Sequence, residues 1–408
     1  VLLVFRRYAS GFVYFPWMMA RAGVEVDVVA AAGHPVRRSR HVRRVFTAAA
    51  NDEAFRATVS ARLATGEYAL LLAMDEPGRD LLYRGERDAA IEPYLPVPRA
   101  NPLREAFSDK ERFLGWCERN GVPVPQTRVV ATADEGIAFA AEWDFPVVLK
   151  GAVGMGGKAV RVCGGEDEVR VAYRELAAGG GHVLAQRFVR GAVGSCSLVA
   201  WRGRVGAWTA SEKWISLADG LGPSAVRRLR NDAELGRLVT RIAAAGEVTG
   251  ITGFDWIEGA PGEFLVIDPH FGRCTPPAAI SDYSGVDVGA AVRGLLEGDE
   301  RVQAPRNEGL IVAMYPQFVE LAMQGGLWTL LRRANPLSPK VRYHVGPAAE
   351  AGLTLRLGAS YVAAGLKVRL GRWRQRWWPR GRRGKRFALP AAELTVEAKP
   401  RSQTMVPR

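Results

Sequence analysis

The sequence predicts an α/β fold that opens on a doubly wound parallel sheet, and three observations carry that prediction. From residue 1 to about residue 107, apolar β-branched runs alternate with helical stretches. A buried-type strand ends at Lys150 in a glycine-rich turn. Two apolar strands further on carry acids at facing positions, Asp255 and Asp268. Strand–helix alternation of the first kind implies parallel pairing.

Bulk properties bound the reading. At 408 residues the chain exceeds the size at which single cores stop growing, so two or three packed subdomains are expected. Its 48% hydrophobic and 24% charged residues are ordinary for a globular protein. Cys117, Cys163, Cys196 and Cys274 show no C-x-x-C spacing, which argues against a disulfide scaffold or zinc ribbon and fits a reducing cytoplasm. No run of about 18 uninterrupted apolar residues occurs, so no transmembrane helix is expected. Val1 to Phe5 is too short for a signal-peptide core and runs into Arg6-Arg7, so a cytoplasmic location is expected. The net charge of +14 is unevenly spread: Ala351 to Ala392 holds no acid and carries most of the surplus. The charge therefore describes a tail, and nucleic acid is not the expected partner of the body.

In order, Val1 to Phe5, Val24 to Ala30 and Ala69 to Met74 read as strands, with a helical stretch ending at Gly23. Asp75 and Glu76 follow the third strand, where ligands of such sheets sit; two acids opening a polar loop is the alternative. Ser108 opens a helix in capping-box spacing with Glu111, and Asn120-Gly121 stops it. Strand Thr127 to Val130, helix Asp134 to Trp143 and strand Val147 to Lys150 follow, then the turn Gly151 to Lys158 and strand Ala159 to Val162. Further strands are expected over Val183–Val189, Ser195–Trp201 and Val205–Thr209. A helix from Asp232 to about Glu247 precedes a hairpin, Gly253 to Glu258 and Glu263 to Asp268. The expected organisation is an N-terminal α/β domain over 1–107, a domain over 108–300 in two parts (108–185 and 186–300), and a helical, basic extension over 301–408.

Four elements carry chemistry. Lys150, at the end of a buried strand, calls for an anion, and Gly154, Gly156 and Gly157 free backbone N–H groups for phosphate oxygens. A strand follows this turn and no G-K-[ST] occurs, so it is not a Walker A loop; a plain tight turn is the alternative. The strand through Gln186, Arg187 and Val189 offers backbone groups to an adenine edge, or is a half-buried strand and nothing more. Asp255 and Asp268, facing each other, suit Mg²⁺, with His270 either beside them as a ligand or a satisfied loop histidine. Arg273 is placed to neutralise charge on a transferring phosphoryl group. Lys110, early in its helix, is unusual because the macrodipole favours acids there.

In their order, these elements resemble the ATP-grasp superfamily from about Ser108 to Glu297, with a preceding domain of the matching type. The resemblance implies an ATP-grasp fold over 108–300 and a pre-ATP-grasp domain over 1–107. It implies ATP and Mg²⁺ as cofactors, Lys110 and Lys150 on the phosphates, Gln186, Arg187 and Val189 at the adenine hinge, and Asp255 and Asp268 on the metal. The family's Glu-x-Asn-Pro-Arg is here Asp268-Pro269-His270-Phe271-Gly272-Arg273. Another register would set Val266 at the acid position and leave one metal site empty. The stretch Ser211 to Arg230 resembles the loop near substrate, with Gly220, Gly222, Pro223 and Ser224 giving mobility and Arg227, Arg228 and Arg230 available to an anion; a solvated basic loop is the alternative.

The activity implied is that of a ligase joining a small-molecule carboxylate to an amine through an acyl phosphate, with Lys150 and Arg273 acting on the phosphoryl group. A bicarbonate-activating enzyme and a non-catalytic nucleotide-binding protein are the rival readings. Helical stretches through Phe318, Leu321 and Leu327 and over Leu353 to Leu370 lead into the Trp/Arg run Gly371 to Arg386. That composition suits an anionic membrane surface, with single-stranded nucleic acid or a solvated tail as alternatives. A homodimer is compatible with the sequence.

Overall fold

Apolar strands with both faces covered build the first layer. The computed structural model describes residues 1–7, 10–49, 51–107, 109–151, 159–217, 223–359 and 361–362. Strands β1 (Leu2–Phe5), β2 (Asp27–Ala30), β3 (Arg44–Thr47) and β4 (Leu71–Ala73) form a parallel sheet in the order β3-β2-β1-β4. Helices α1 (Phe15–Arg21), α2 (Asp52–Leu63) and α3 (Glu76–Tyr83) alternate with them, as the doubly wound reading requires. The three expected strands are present in shortened form. β3 was not expected: it is an edge strand, largely exposed, whose Arg44-Val-Phe-Thr47 lacks an apolar run.

The second layer starts at α4 (Lys110–Arg119). Its cap is Asp109, whose carboxylate accepts from the N–H groups of Glu111 and Arg112. The expected cap, Ser108, lies outside the described residues, and Lys110 is the first helical residue. Gly121, at φ +60°, ends the helix in a conformation that glycine adopts without strain. Strand β5 (Thr127–Val130), helix α5 (Ala133–Trp143), strands β6 (Val147–Gly151) and β7 (Val160–Cys163), helix α6 (Glu166–Ala177) and strand β8 (Val183–Arg187) follow. The strands pair antiparallel in the order β5-β8-β6-β7. Val147, Leu149, Val183 and Ala185 turn one face to Phe139, Ala140, Val169 and Leu176 of the two helices. By the two-residue period of a strand, Lys150 is on the other face.

The third layer is a seven-stranded sheet. It comprises β9 (Ala192–Trp201), β10 (Arg204–Ser216), β11 (Ser224–Arg230), β12 (Gly250–Glu258), β13 (Phe264–Pro269), β14 (Ile311–Met314) and β15 (Val341–His344), in the order β13-β12-β9-β10-β11-β14-β15. Helix α7 (Ala233–Gly246) packs on it, as do α8 (Pro276–Ala279) and α10 (Val288–Leu296), with α9 (Ser281–Ser284) between them in the chain; α11 (Gln317–Leu321) and α12 (Leu327–Arg333) lie between β14 and β15 in the chain. The last two strands thus come from the stretch expected as an extension.

Most of Ser211 to Arg230, expected as a mobile loop, is strand: 211–216 belong to β10 and 224–230 to β11, paired antiparallel. Its arginines are paired or buried within the sheet, because Arg228 bonds Glu212 and Arg230 bonds Asp232 and Glu258. Gly220 and Gly222 lie outside the described residues, as do Gly154, Gly156 and Gly157 of the glycine turn and everything from 363 of the basic tail. Residues 351–359 are helical, consistent with the start of the helix expected from Leu353. The four cysteines are buried and unpaired. Among the described residues no helix is long and apolar enough to cross a membrane.

Candidate functional site

The hairpin β12–β13 sets two carboxylates side by side. Asp255 and Asp268 are direct cross-strand partners, and a bulge follows between Asp255 and Trp256. Directly opposed residues share a face, so both acids point the same way. Val266, 1% exposed, pairs with Trp256 on the buried side of the hairpin. One ligand atom from each of Asp255, Asp268 and His270 falls within 4.8 Å of the others.

Beyond Asp268 the chain turns through Gly272, at φ +73° with the Arg79 side chain 3.0 Å from where a Cβ would stand. That conformation brings Arg273 back onto His270: Nη2 donates to Nδ1 at 2.8 Å. A guanidinium only donates, so Nδ1 accepts and the imidazole proton sits on Nε2, which faces Asp255 Oδ1 at 3.2 Å. Thr252 supports the turn, its hydroxyl taking the Gly272 N–H and reaching the His270 carbonyl. Buried Arg79 donates to the Phe271 carbonyl and pairs with Asp80 and Glu76.

The same turn docks on the parallel sheet. Cys274 N–H bonds the Ala73 carbonyl at the carboxyl end of β4, beside β1, where the strand order reverses. Here Asp75 caps α3 through Gly78 N–H and accepts from Arg7 N–H at 2.6 Å. Burial raises its carboxyl, and those N–H groups oppose the rise only in part. Glu76 Oε2 lies 3.9 Å from Arg273 Nε. Asp75 is thus committed to the backbone and Glu76 faces the site.

Lys150 meets this hairpin from the second layer. It is 9% exposed, and its ammonium donates to the Ile267 carbonyl at 3.4 Å, bridging the two sheets. Burial pulls it down to about 8; Asp268 opposes this, Lys110 adds to it and Asp255 opposes it. Lys110 is thus near enough to Lys150 for their charges to repel. The structure brings together Lys110, Lys150, Asp255, Asp268, His270 and Arg273.

Gln186, opposite Val148, shares the sheet face of Lys150, while Arg187 turns to the helices. Gln186 donates to Thr127 Oγ1 at 2.8 Å, and Arg187 N–H is bonded to the Gln126 carbonyl. The Arg187 guanidinium stacks over Trp143. Val189 packs by Gly259 at the hairpin turn, and a Cβ on Gly191 would fall 1.7 Å from the Glu258 carbonyl, so the connecting strand runs hard against the hairpin.

One contributor escaped the sequence reading. Lys213 on β10 pairs with Asp255 Oδ2 at 2.6 Å. Burial alone would raise the Asp255 carboxyl, but Lys213 and His270 reverse that and hold it well below the usual carboxylate range. The available signal was the alternation Ser211-x-Lys213 on an unexpectedly long strand.

Residues 109–192 match the carbamoyl-phosphate synthase L chain, ATP binding domain. The chain is 33% identical over 88 residues to the carbamoyl phosphate synthase large chain of Thermus thermophilus, covering 21% of this chain and 9% of that protein. It therefore spans about a tenth of the length of that curated relative. Biotin carboxylase from Campylobacter jejuni, solved as a β-γ-ATP complex, superposes with a TM-score of 0.58 at 16% identity over 76% of this chain and 74% of the other. L-amino acid ligase from Bacillus licheniformis gives 0.50 at 15% identity, over 74% and 76%. The chain has the ATP-grasp fold.

Proposed function

We propose that the protein is an ATP-dependent ligase that activates a carboxylate as an acyl phosphate and joins it to an amine, releasing ADP and phosphate. The observation that carries this reading is the convergence of Lys150 and Arg273 on the hairpin of the Asp255/Asp268 pair, between the two sheets, with the charge of Lys110 felt at Lys150. The donor set fits Mg²⁺ in its two carboxylates, a hard-oxygen pair. His270, the expected third ligand, offers a nitrogen within 4.8 Å of both carboxylates, and its Nε2 faces Asp255. Bound Mg²⁺ would supply charge neutralisation on the triphosphate.

In the reaction, an oxygen of the substrate carboxylate attacks the γ-phosphorus and the bond from that phosphorus to the β–γ bridging oxygen breaks, releasing ADP. The amine nitrogen then attacks the acyl carbon, the carbon–oxygen bond to phosphate breaks, and the amine proton passes to solvent. Lys150 and Lys110 hold the phosphates, and Arg273, anchored on His270, offsets charge as the phosphoryl group moves. Gln186, Arg187 and Val189 border the adenine through the backbone after β8, with the described side chains of Gln186 and Arg187 otherwise engaged.

ADP release with a panel of acids and amines, with hydroxylamine trapping, tests the reading. Acid-dependent hydroxamate supports it. Turnover with bicarbonate alone moves the substrate to a carboxylating enzyme, and MgATP binding without any turnover leaves a nucleotide-binding protein.

A surface observation supports a location at the inner face of an anionic membrane. Among the described residues, four of the ten exposed large hydrophobics fall within one short stretch: Leu327, Trp328, Leu331 and Leu337, with Trp328 82% and Leu337 90% exposed. No acid occurs from 321 to 349, while Arg332, Arg333, Lys340 and Arg342 do, and the acid-free tail follows. Tryptophan and leucine beside arginine suit the headgroup boundary. Co-flotation of the full chain with vesicles containing phosphatidylglycerol, lost in a W328S/L331S/L337S variant, is expected. A concentration-dependent homodimer abolished by the same variant would assign the surface to a second copy instead.

A further inference from the structure

The sheet face that bears Asp255 carries another charged side chain that the reaction above does not use. Arg227 on β11 is 2% exposed, and its partners are hydroxyls. Nη1 donates to Ser211 Oγ at 3.0 Å and Ser195 Oγ at 3.3 Å, Nη2 to Ser195 Oγ at 3.3 Å, and Nη1 reaches the Ser211 carbonyl at 3.4 Å. Nε has no partner. Among the described residues no carboxylate pairs with it. The contrast with other buried arginines is sharp: Arg79 has Asp80 and Glu76, and Arg230 has Asp232 and Glu258.

Asp255 acts on Arg227 only at a distance: its two oxygens engage Lys213 at 2.6 Å and His270 at 3.2 Å, and no hydrogen bond or ion pair joins it to Arg227 among the described residues. Burial brings the Arg227 pKa down to about 10, with Asp255 opposing, yet the guanidinium stays charged at neutral pH. A buried cation without a counter-ion is retained at a cost, and an arriving anion removes that cost.

Its position says which anion. Asp268, Asp255, Ser195 and Ser211 stand in register across β13, β12, β9 and β10, and Lys213 pairs with Arg227 across β10 and β11. Opposed residues share a face, so Arg227 and the two hydroxyls lie in line with the acid pair. We propose that Arg227, with Ser195 and Ser211, docks the planar carboxylate of the acid substrate beside the phosphoryl-transfer site. The guanidinium fork matches a carboxylate in geometry, and the serine hydroxyls, already accepting from Arg227, are free to donate. This inference rests on the ligase reading.

Thermal-shift titrations of the full chain with acetate, bicarbonate and sulfate at fixed ionic strength test it, in the wild type, R227K and R227M. Saturable stabilisation of the wild type by acetate or bicarbonate is expected, weakened roughly tenfold in R227K, which keeps charge but loses the fork, and absent in R227M. Acetate acting above bicarbonate marks an organic acid, and the reverse marks bicarbonate. An undiminished response in R227M or R227K, or sulfate acting as strongly as acetate, overturns the assignment. So does a wild type that MgATP stabilises and neither carboxylate does. A wild type stabilised by carboxylate but not by MgATP keeps the anion site and removes the ligase reading.

Discussion

The ammonium of Lys213 lies 2.6 Å from Oδ2 of Asp255, in the position of a counter-charge to one of the two facing acids. Without it, Asp255 would lose the ion pair to its Oδ2 and keep, at hydrogen-bond distance, the His270 ring alone among the described residues. Lys213→Met is expected to cost about 2 kcal/mol in metal-free protein. Millimolar Mg²⁺ should recover much of that loss, because the cation then supplies the missing charge. Calorimetric melting with and without Mg²⁺ measures both; a variant that Mg²⁺ leaves unimproved would remove the acid pair as a metal site.

Asp268 makes the complementary case. Its side chain is 44% exposed and no strong internal bond depends on it. Asp268→Ala is expected to abolish phosphate release while shifting stability by no more than about 0.5 kcal/mol. Retained turnover in a folded variant counts against the metal assignment.

In the proposed ligase, Lys150 links nucleotide binding to pH. Its folded pKa, about 8, lies below the unfolded value. The penalty for burying its charge is therefore fully present below about pH 8 and relaxes as pH rises through the range up to about 10.4. A bound anion favours the ammonium and raises the pKa, so MgATP binding should take up a fraction of a proton near pH 8 to 9 and almost none at pH 6. Calorimetry in two buffers of different ionisation enthalpy reads that fraction. It should vanish in Lys150→Arg, which stays charged.

The bond from Arg273 to His270 Nδ1 fixes a tautomer. Long-range ¹H–¹⁵N spectra should show His270 protonated at Nε2 in the wild type. Arg273→Met should release Nδ1 to protonation or tautomer exchange, with kcat lower by roughly 100-fold. A His270 signal unchanged by the substitution would show that the contact does not persist in solution.

Far from the site, Asp27 is wholly buried and accepts from Arg43, Arg44 and Tyr68. Burial would raise its carboxyl, but these partners hold it well below the usual range. A carboxyl depressed in the fold stabilises above its unfolded value of about 3.9 and loses that contribution as pH falls further. Asp27→Asn should cost about 2 kcal/mol at pH 7, with the gap to wild type narrowing below about pH 4 in urea titrations.

Several elements were legible because their cause is local. The strand into Lys150, the helix stop at Asn120-Gly121 and the hairpin carrying Asp255 and Asp268 follow from apolar alternation and glycine, which neighbours in the chain dictate. The cap of α4 was misplaced by one residue, since Ser108 and Asp109 both offer a capping oxygen and only backbone geometry chooses. β11 was hidden for a different reason. A strand bearing Arg227, Arg228 and Arg230 looks solvated until Glu212, Glu258 and two serines are brought to it from elsewhere in the chain.

By itself, then, the sequence determined the α/β layers, the order of the cation, glycine turn and acids, and the acidic partners of the hairpin. Tertiary structure decided the rest: that Lys213 fills the gap beside the facing acids, that His270 is turned by Arg273, and that Arg227 lies buried without an acid. The division is physical. Periodicity and turn chemistry act between residues a few positions apart, whereas compensation of a buried charge depends on which distant side chains the sheets bring within about 4 Å.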